Sequence, residues 1–541
     1  MPRFIEIFIL VVSSLFAQLA QLPAQNRYHS DSSEQFDRVS FPTSCSPQIQ
    51  ETFGRGVALL HSFEYQQAVE RFRKVQKQDP SCAIAYWGEA MCLYHQLWSP
   101  PSENDLAEGW HLVQKARSAV KKSPREEEYI DAVSVLFMPG MLERADRTAA
   151  YLRAMERIHQ TYPSDEEAAA FYALSLLATE SPADTSLRNV KKAVEVLNRV
   201  LAEHPDHPGA LHYMIHACDN PGMAKAGLAA ARRYAAMAPS SPHALHMPSH
   251  IFARLGMWQE AIASNLASLA AAERTVSGTE SRLHAMEFLE YAFLQTAQDA
   301  KAQTIEEEAV KVNNEGFSRG MEPYYFYVQA HFPALLLLET KNWKQAGSLQ
   351  PPQNAGPGFE AITYWAQAIG AGHLGNVTAG RAAVHKLDLA LAASTESHPD
   401  SLVPPVDTYK NEAHAWLAFI ENETAAAFEL LQPVIHYQEH VGKGETEPPA
   451  REMYADMLLE LRRPEEAFEQ YRLSLKSDPK RFNGLYGAGR SAELAHQMRV
   501  ATSYYKQLLD NCSQGQRSKR AELERARRVI AETAKSGEGG F

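Results

Sequence analysis

From Gln48 onward apolar residues recur at helical spacing, and that texture scarcely breaks before about residue 510. Runs of alternating β-branched residues bounded by turn pairs are missing, so the pattern predicts helices throughout. The segment GRGVALLHSFEYQQAVERFRKVQKQDP places Gly56, Ala68, Phe72 and Pro80 at offsets of 12, 4 and 8. Those offsets describe a helix-turn-helix unit of 34 residues: small residues let two helices cross closely, an aromatic fills the gap, and proline starts the connection onward. Ala193, Leu197 and Pro205 repeat the offsets of 4 and 8, with Pro239 34 residues further on, and Ala467, Tyr471 and Pro479 repeat them near the C-terminus.

The pattern divides the chain. Residues 1–24 read as an export signal, with Arg3 ahead of the apolar run Ile7–Ala17 and small residues at Ala17, Ala20 and Ala24 as cleavage points. Residues 25–47 are polar and aperiodic, a linker. Residues 48–347 form a first set of repeats, and the Pro/Gly/Asn-rich stretch 348–358 is a joint. Residues 359–512 form a second set, and 513–541 a charged helix fading into a glycine-rich tail that caps the stack. The expected class is all-α, a right-handed α-α superhelix.

The chain resembles the tetratricopeptide-repeat superfamily over about residues 48–510. Within it, the segments SCSPQIQETFGRGVALLHSF, DPSCAIAYWGEAM, HPGALHYMIHACDNP, PHALHMPSHIFARLGMW and RFNGLYGAGRSAELA are similar to a group of bacterial exported repeat proteins with no assigned activity. In the superfamily the first helix of each repeat lines a concave face that holds peptides. The resemblance therefore implies a scaffold that binds a peptide or protein partner in that groove, and it implies no chemistry.

One stretch, Pro208 to about Gln295, asks for more. His212 and His246 fall at position 5 of successive units beginning at Pro208 and Pro242, and His216, His250 and His284 fall at position 9. Positions 5 and 9 are one helical turn apart and share a face, which in this architecture looks into the groove. His243 lies one turn before His246, and Asp219 and Glu287 lie one turn beyond His216 and His284. Imidazoles with a few carboxylates suit zinc, copper, iron or manganese. The expected ligands are His212, His216, His246 and His250 around one ion, with His284, His243, Asp219 and Glu287 serving a second ion or orienting the first set; Glu287 is the candidate base if an open coordination position activates water. The competing cause is duplication, because a copied repeat carries its histidines along whether or not they bind. Pro248 inside the second unit kinks its helix or marks the helix start.

Composition narrows the partners. A net charge of -12 gives no electrostatic case for nucleic acid, and no segment matches the ~20 apolar residues of a membrane span, so no integral membrane domain is expected. Five cysteines make no disulfide framework, although Cys45 and Cys82 could pair in an oxidising compartment. Phosphate-binding loops and the G-x-S-x-G elbow are absent. Secretion or a periplasmic location follows from the signal.

Overall fold

A computed structural model describes residues 39–97, 101–140, 143–181, 184–273, 279–312, 322–397, 407–442, 446–515 and 518–538. The expected signal, 1–24, lies outside them, as do most of the expected loop 396–406 and the end of the tail. Consecutive helices pair antiparallel from Gln50–His61 with Tyr65–Gln78 to Phe482–Leu494 with Met498–Asn511. Among the described residues the only β feature is an isolated bridge between Cys82 and Lys121. The chain is an α-α solenoid, and no helix among the described residues is long and apolar enough to cross a membrane.

The repeat offsets have a steric cause. A Cβ added at Gly56 would sit 2.8 Å from the Phe72 ring, and one added at Gly487 would sit 2.3 Å from the Tyr471 ring. The glycine of one helix is thus the seat of the aromatic of the next, and Ala68, Phe72, Ala193, Leu197, Ala467 and Tyr471 are all buried. The turn between paired helices also recurs: Phe63, Gly256, Ala297, Lys341, Gly375, Asn422, Arg462 and His496 each take left-handed φ between 55° and 66°, which reverses the chain in few residues. Lys341 and Gly375 are 34 apart, as are Arg462 and His496, whereas Gly375 and Asn422 are 47 apart. Longer helices in the middle of the chain therefore blur the 34-residue frame there.

Val39 and Phe41, inside the stretch read from sequence as a linker, are buried in the fold. Phe41 is fully buried, with ring centroids 5.3, 5.5 and 5.2 Å from those of Phe53, Trp87 and Tyr129. Cys45 and Cys82 are joined in a disulfide that closes a loop of 37 residues over this end.

The C-terminal repeats pack back on the middle of the chain. Trp258 Nε1 donates to the Lys480 carbonyl at 2.9 Å, Asn511 Nδ2 to the Gln295 carbonyl at 2.9 Å, and Gln295 Oε1 accepts from the Phe482 amide at 2.9 Å. At the heart of this contact Arg481 is buried among Glu339, Glu452 and Tyr291. Thr446 Oγ1 donates to Glu287 Oε1 at 3.0 Å. Of the histidines expected to look into an open groove, His212, His246 and His250 are buried and His216, His243 and His284 half-buried.

Candidate metal centre

Three segments supply the histidines: helix Pro208–Cys218, the broken pair Pro242–His246 and Pro248–Arg254, and helix Thr279–Gln295. Pro208 and Pro242 stand at first helical turns, where a missing N–H costs nothing. Pro248 divides the middle segment: Met247 ends one helix and precedes the next. His246 and His250 nevertheless keep one face across the break, with their Nε2 atoms 3.0 Å apart.

The imidazoles gather into two triads, His212 with His216 and His243, and His246 with His250 and His284; within each, one ligand atom per residue lies within 4.8 Å of the others. The sequence-derived quartet His212, His216, His246 and His250 is thus split two and two, and each half takes its third member from the next rung.

In the second triad the proton inventory can be read from the surroundings. His246 Nδ1 donates to Asn265 Oδ1 at 2.7 Å, and the amide is oriented by Asn265 Nδ2 donating to the Ala261 carbonyl at 2.8 Å. His250 Nδ1 donates to Asp219 Oδ2 at 2.9 Å, and the other carboxylate oxygen accepts from Arg254 Nε at 2.8 Å. Both Nδ1 protons are committed, so in the neutral rings both Nε2 atoms carry lone pairs, and these face each other at 3.0 Å. His284 lies with its ring centroid 4.4 Å from that of His246, and its Nδ1 is 3.5 Å from Glu287 Oε2.

In the first triad the tautomer is fixed at His212. His212 Nδ1 donates to the His61 carbonyl at 2.6 Å, which leaves Nε2 as an acceptor. That atom stands 3.1 Å from His216 Nε2 and 3.0 Å from His243 Nε2. Burial pushes His212, His243 and His246 well below the ordinary imidazole range, and brings His216 down to about 3, with neighbouring histidines adding to the effect. The uncharged, ligating form is favoured.

Aromatic rings wall each triad. Phe63 lies 4.5, 5.8 and 5.8 Å from His212, His216 and His243, and Phe288 lies 4.9, 4.6 and 5.4 Å from His246, His250 and His284, as ring centroids. Tyr234 stacks on His212 at 4.9 Å. Such walls exclude water and lower the local dielectric.

The two carboxylates stand behind the imidazoles. Asp219 grips His250 through Nδ1; burial raises its carboxyl, but Arg254 and His250 outweigh that and hold it below the usual carboxylate range. Glu287 is buried beside His284, accepting from Tyr327 at 2.8 Å and Thr446 at 3.0 Å. Burial raises it, and the His284 hydrogen bond and the charge of His331 outweigh this and bring it down to about 2.

A third set, His61, Glu167 and His207, also meets the distance requirement for an ion. Here the protons are already placed. His207 Nδ1 accepts the Ala210 amide at 3.1 Å as a helix cap, so its Nε2 carries the proton and lies 3.5 Å from Glu167 Oε1. His61 Nε2 lies 2.5 Å from Glu167 Oε2, and its Nδ1 2.9 Å from the Tyr213 hydroxyl. His61 and Glu167 are thus hydrogen-bonded, whereas His207 Nε2 and Glu167 Oε1, both buried, have no hydrogen-bond partner among the described residues. The described residues thus contain three groups geometrically compatible with a divalent ion, two of which present converging imidazole nitrogens.

Sequence reading missed Glu167, His207, Asn265, Arg254 and Thr446. Asn265 offered a faint signal, a lone amide in the small apolar run AIASNLASLAAA; Thr446, 159 residues from Glu287, offered none.

No protein-family model matches the sequence, and neither does any curated protein. Among solved structures, a human IFIT1 dimer with PPP-AAAA aligns over 84% of this chain and 88% of its own at 13% identity and a TM-score of 0.35. A human IFIT1 dimer with m7Gppp-AAAA aligns over 84% and 94% at 12% identity and a TM-score of 0.34.

Proposed function

We propose that this protein is a helical-repeat metalloprotein whose histidine triads, His212/His216/His243 and His246/His250/His284, hold divalent transition-metal ions. One observation carries the reading: His246 and His250 direct lone pairs at each other from 3.0 Å while both Nδ1 protons are engaged elsewhere. Such a contact is repulsive without a cation between the nitrogens, and ligating histidines are oriented by acceptors on the far nitrogen in this way. Three protein ligands per ion leave a coordination position open, the pattern of a site that activates water or substrate rather than one that only braces a fold. The duplication argument loses force at His243, which stands at repeat position 2, where the neighbouring units carry Gly209 and Ser277; His284 shares position 9 with His216 and His250.

Burial of His212, His246 and His250 speaks against a peptide held by those side chains. Export is part of the proposal, and the Cys45–Cys82 disulfide supports an oxidising compartment. The rival occupant of the His246–His250 contact is a proton. Metal analysis of tag-free protein beside H216A/H250A separates the two: near-stoichiometric metal in the wild type and its loss in the variant are expected. A wild type that neither carries nor takes up zinc, copper, iron or manganese overturns the reading.

A further inference from the structure

We infer that the two triads form one binuclear copper centre bridged by a small ligand, rather than two independent metal sites. The inference rests on the metal reading above and deepens it.

The topology forces the triads together. One broken helix pair serves both: His243, three residues before His246, closes the first triad, while His246 and His250 build the second. Residues three apart on a helix have Cβ atoms only about 5–6 Å from each other, so the two ligand sets share a wall. Across that wall the His216 and His250 ring centroids are 6.4 Å apart. His250 in turn lies 5.5 Å from His284 within its own triad, so the cross-triad spacing is hardly longer than the spacing inside one.

The donor chemistry selects the metal. All six converging groups are imidazoles; the nearby carboxylates Asp219 and Glu287 lie against the Nδ1 atoms of His250 and His284 and are engaged by Arg254, Tyr327 and Thr446. Hard ions such as magnesium, calcium and manganese prefer oxygen donors, and iron(II) oxygenase sites take a carboxylate beside two histidines. Imidazole-only sets suit copper, zinc, iron and nickel, and among these copper(II) binds most tightly in the divalent series. With three protein donors each, both ions have coordination to spare on adjoining sites. One hydroxide, formed when a bridging water gives a proton to solvent, can then bind both ions through its oxygen and couple their unpaired spins.

The test uses the tag-free full chain titrated with copper(II) sulfate in air. Two coppers per chain are expected by elemental analysis, with a spin count far below one per copper in the intact protein and recovery of the full count after acid release. Added azide is expected to shift the charge-transfer absorption with a stoichiometry of one per pair. H246A is expected to keep one copper, now fully visible by electron paramagnetic resonance. H216A, altered at a less buried position of the other triad, provides the second case if H246A does not fold. Two coppers with two full spins, a single copper per chain, or exclusion of copper by equimolar zinc overturns the pair while leaving a metalloprotein. Absence of any bound metal in a folded chain overturns both readings.

Discussion

Asp219 and His250 meet at 2.9 Å, Oδ2 to Nδ1, while Arg254 holds the other carboxylate oxygen at 2.8 Å. The carboxylate fixes which nitrogen of His250 keeps its proton and so which one turns a lone pair toward His246. Asp219→Asn preserves an acceptor of the same shape and removes the charge. We expect the metal count to be unchanged and the affinity to fall about 10–100-fold, measured by competition against a chelator of known strength. An affinity equal to the wild type's would show that Asp219 serves Arg254 alone.

A second relationship ties this centre to the far end of the chain. Gly256, two residues beyond Arg254, takes φ of +63°, and a Cβ placed there would lie 2.3 Å from the Pro479 carbonyl oxygen. Gly256→Ala therefore meets both an unfavourable backbone conformation and a backbone atom that cannot swing away. A loss of about 2 kcal/mol or more is expected, read as a lower urea midpoint with an unchanged slope. If the midpoint does not move, the packing of the C-terminal repeats against residues 254–258 is not what stabilises the chain.

The fold was legible because its cause is local. A glycine opposite an aromatic and a proline at a fixed offset are short-range requirements, and they recur at Gly56/Phe72 and Gly487/Tyr471, where each aromatic fills the space a Cβ would need. The histidine register at 212, 216, 246 and 250 was legible for the same reason. How those residues divide was not: His243 closes on His212 and His216 while His284 closes on His246 and His250, and an offset count gives the register along the chain, not which rung meets which. The return of the C-terminal repeats to this region was hidden for a different reason. It is made by contacts such as Thr446 with Glu287 and Lys480 with Trp258, separated by 159 and 222 residues, which no repeat frame encodes.

Arg481 concentrates that long-range contact. Its guanidinium is 1% exposed and meets Glu339 at 2.8 Å and Glu452 at 2.9 and 3.0 Å. Removing one side of a buried ion cluster leaves uncompensated charge, so Arg481→Met is expected to cost about 3–5 kcal/mol. Adding Glu339→Gln and Glu452→Gln to the same chain removes that orphaned charge and is expected to return most of the loss. A triple variant no more stable than Arg481→Met would mean that the shape of the arginine, and not its charge, is what this contact needs.

Glu290 provides a pH-dependent test independent of any metal. It is fully buried on the Thr279–Gln295 helix, and neither carboxyl oxygen has a hydrogen-bond partner among the described residues. Burial pushes its carboxyl well above the ordinary 4.5, with Glu306 and Glu287 adding to the rise. The native state therefore holds this proton while the unfolded chain releases it. Below pH 4.5 the two states bind it equally; above that value the unfolded state is favoured by about 1.4 kcal/mol per pH unit until the native group also ionises. Glu290→Gln keeps the size of the side chain and removes the titration. In chelator-treated protein, the stability of the variant relative to wild type is expected to rise steadily as pH goes from about 5 to 7. Urea midpoints for the two chains at each pH measure this difference directly, because contributions from all other titrating groups cancel between them. A difference that stays flat across the range would mean that Glu290 is ionised in the folded protein and has a partner there.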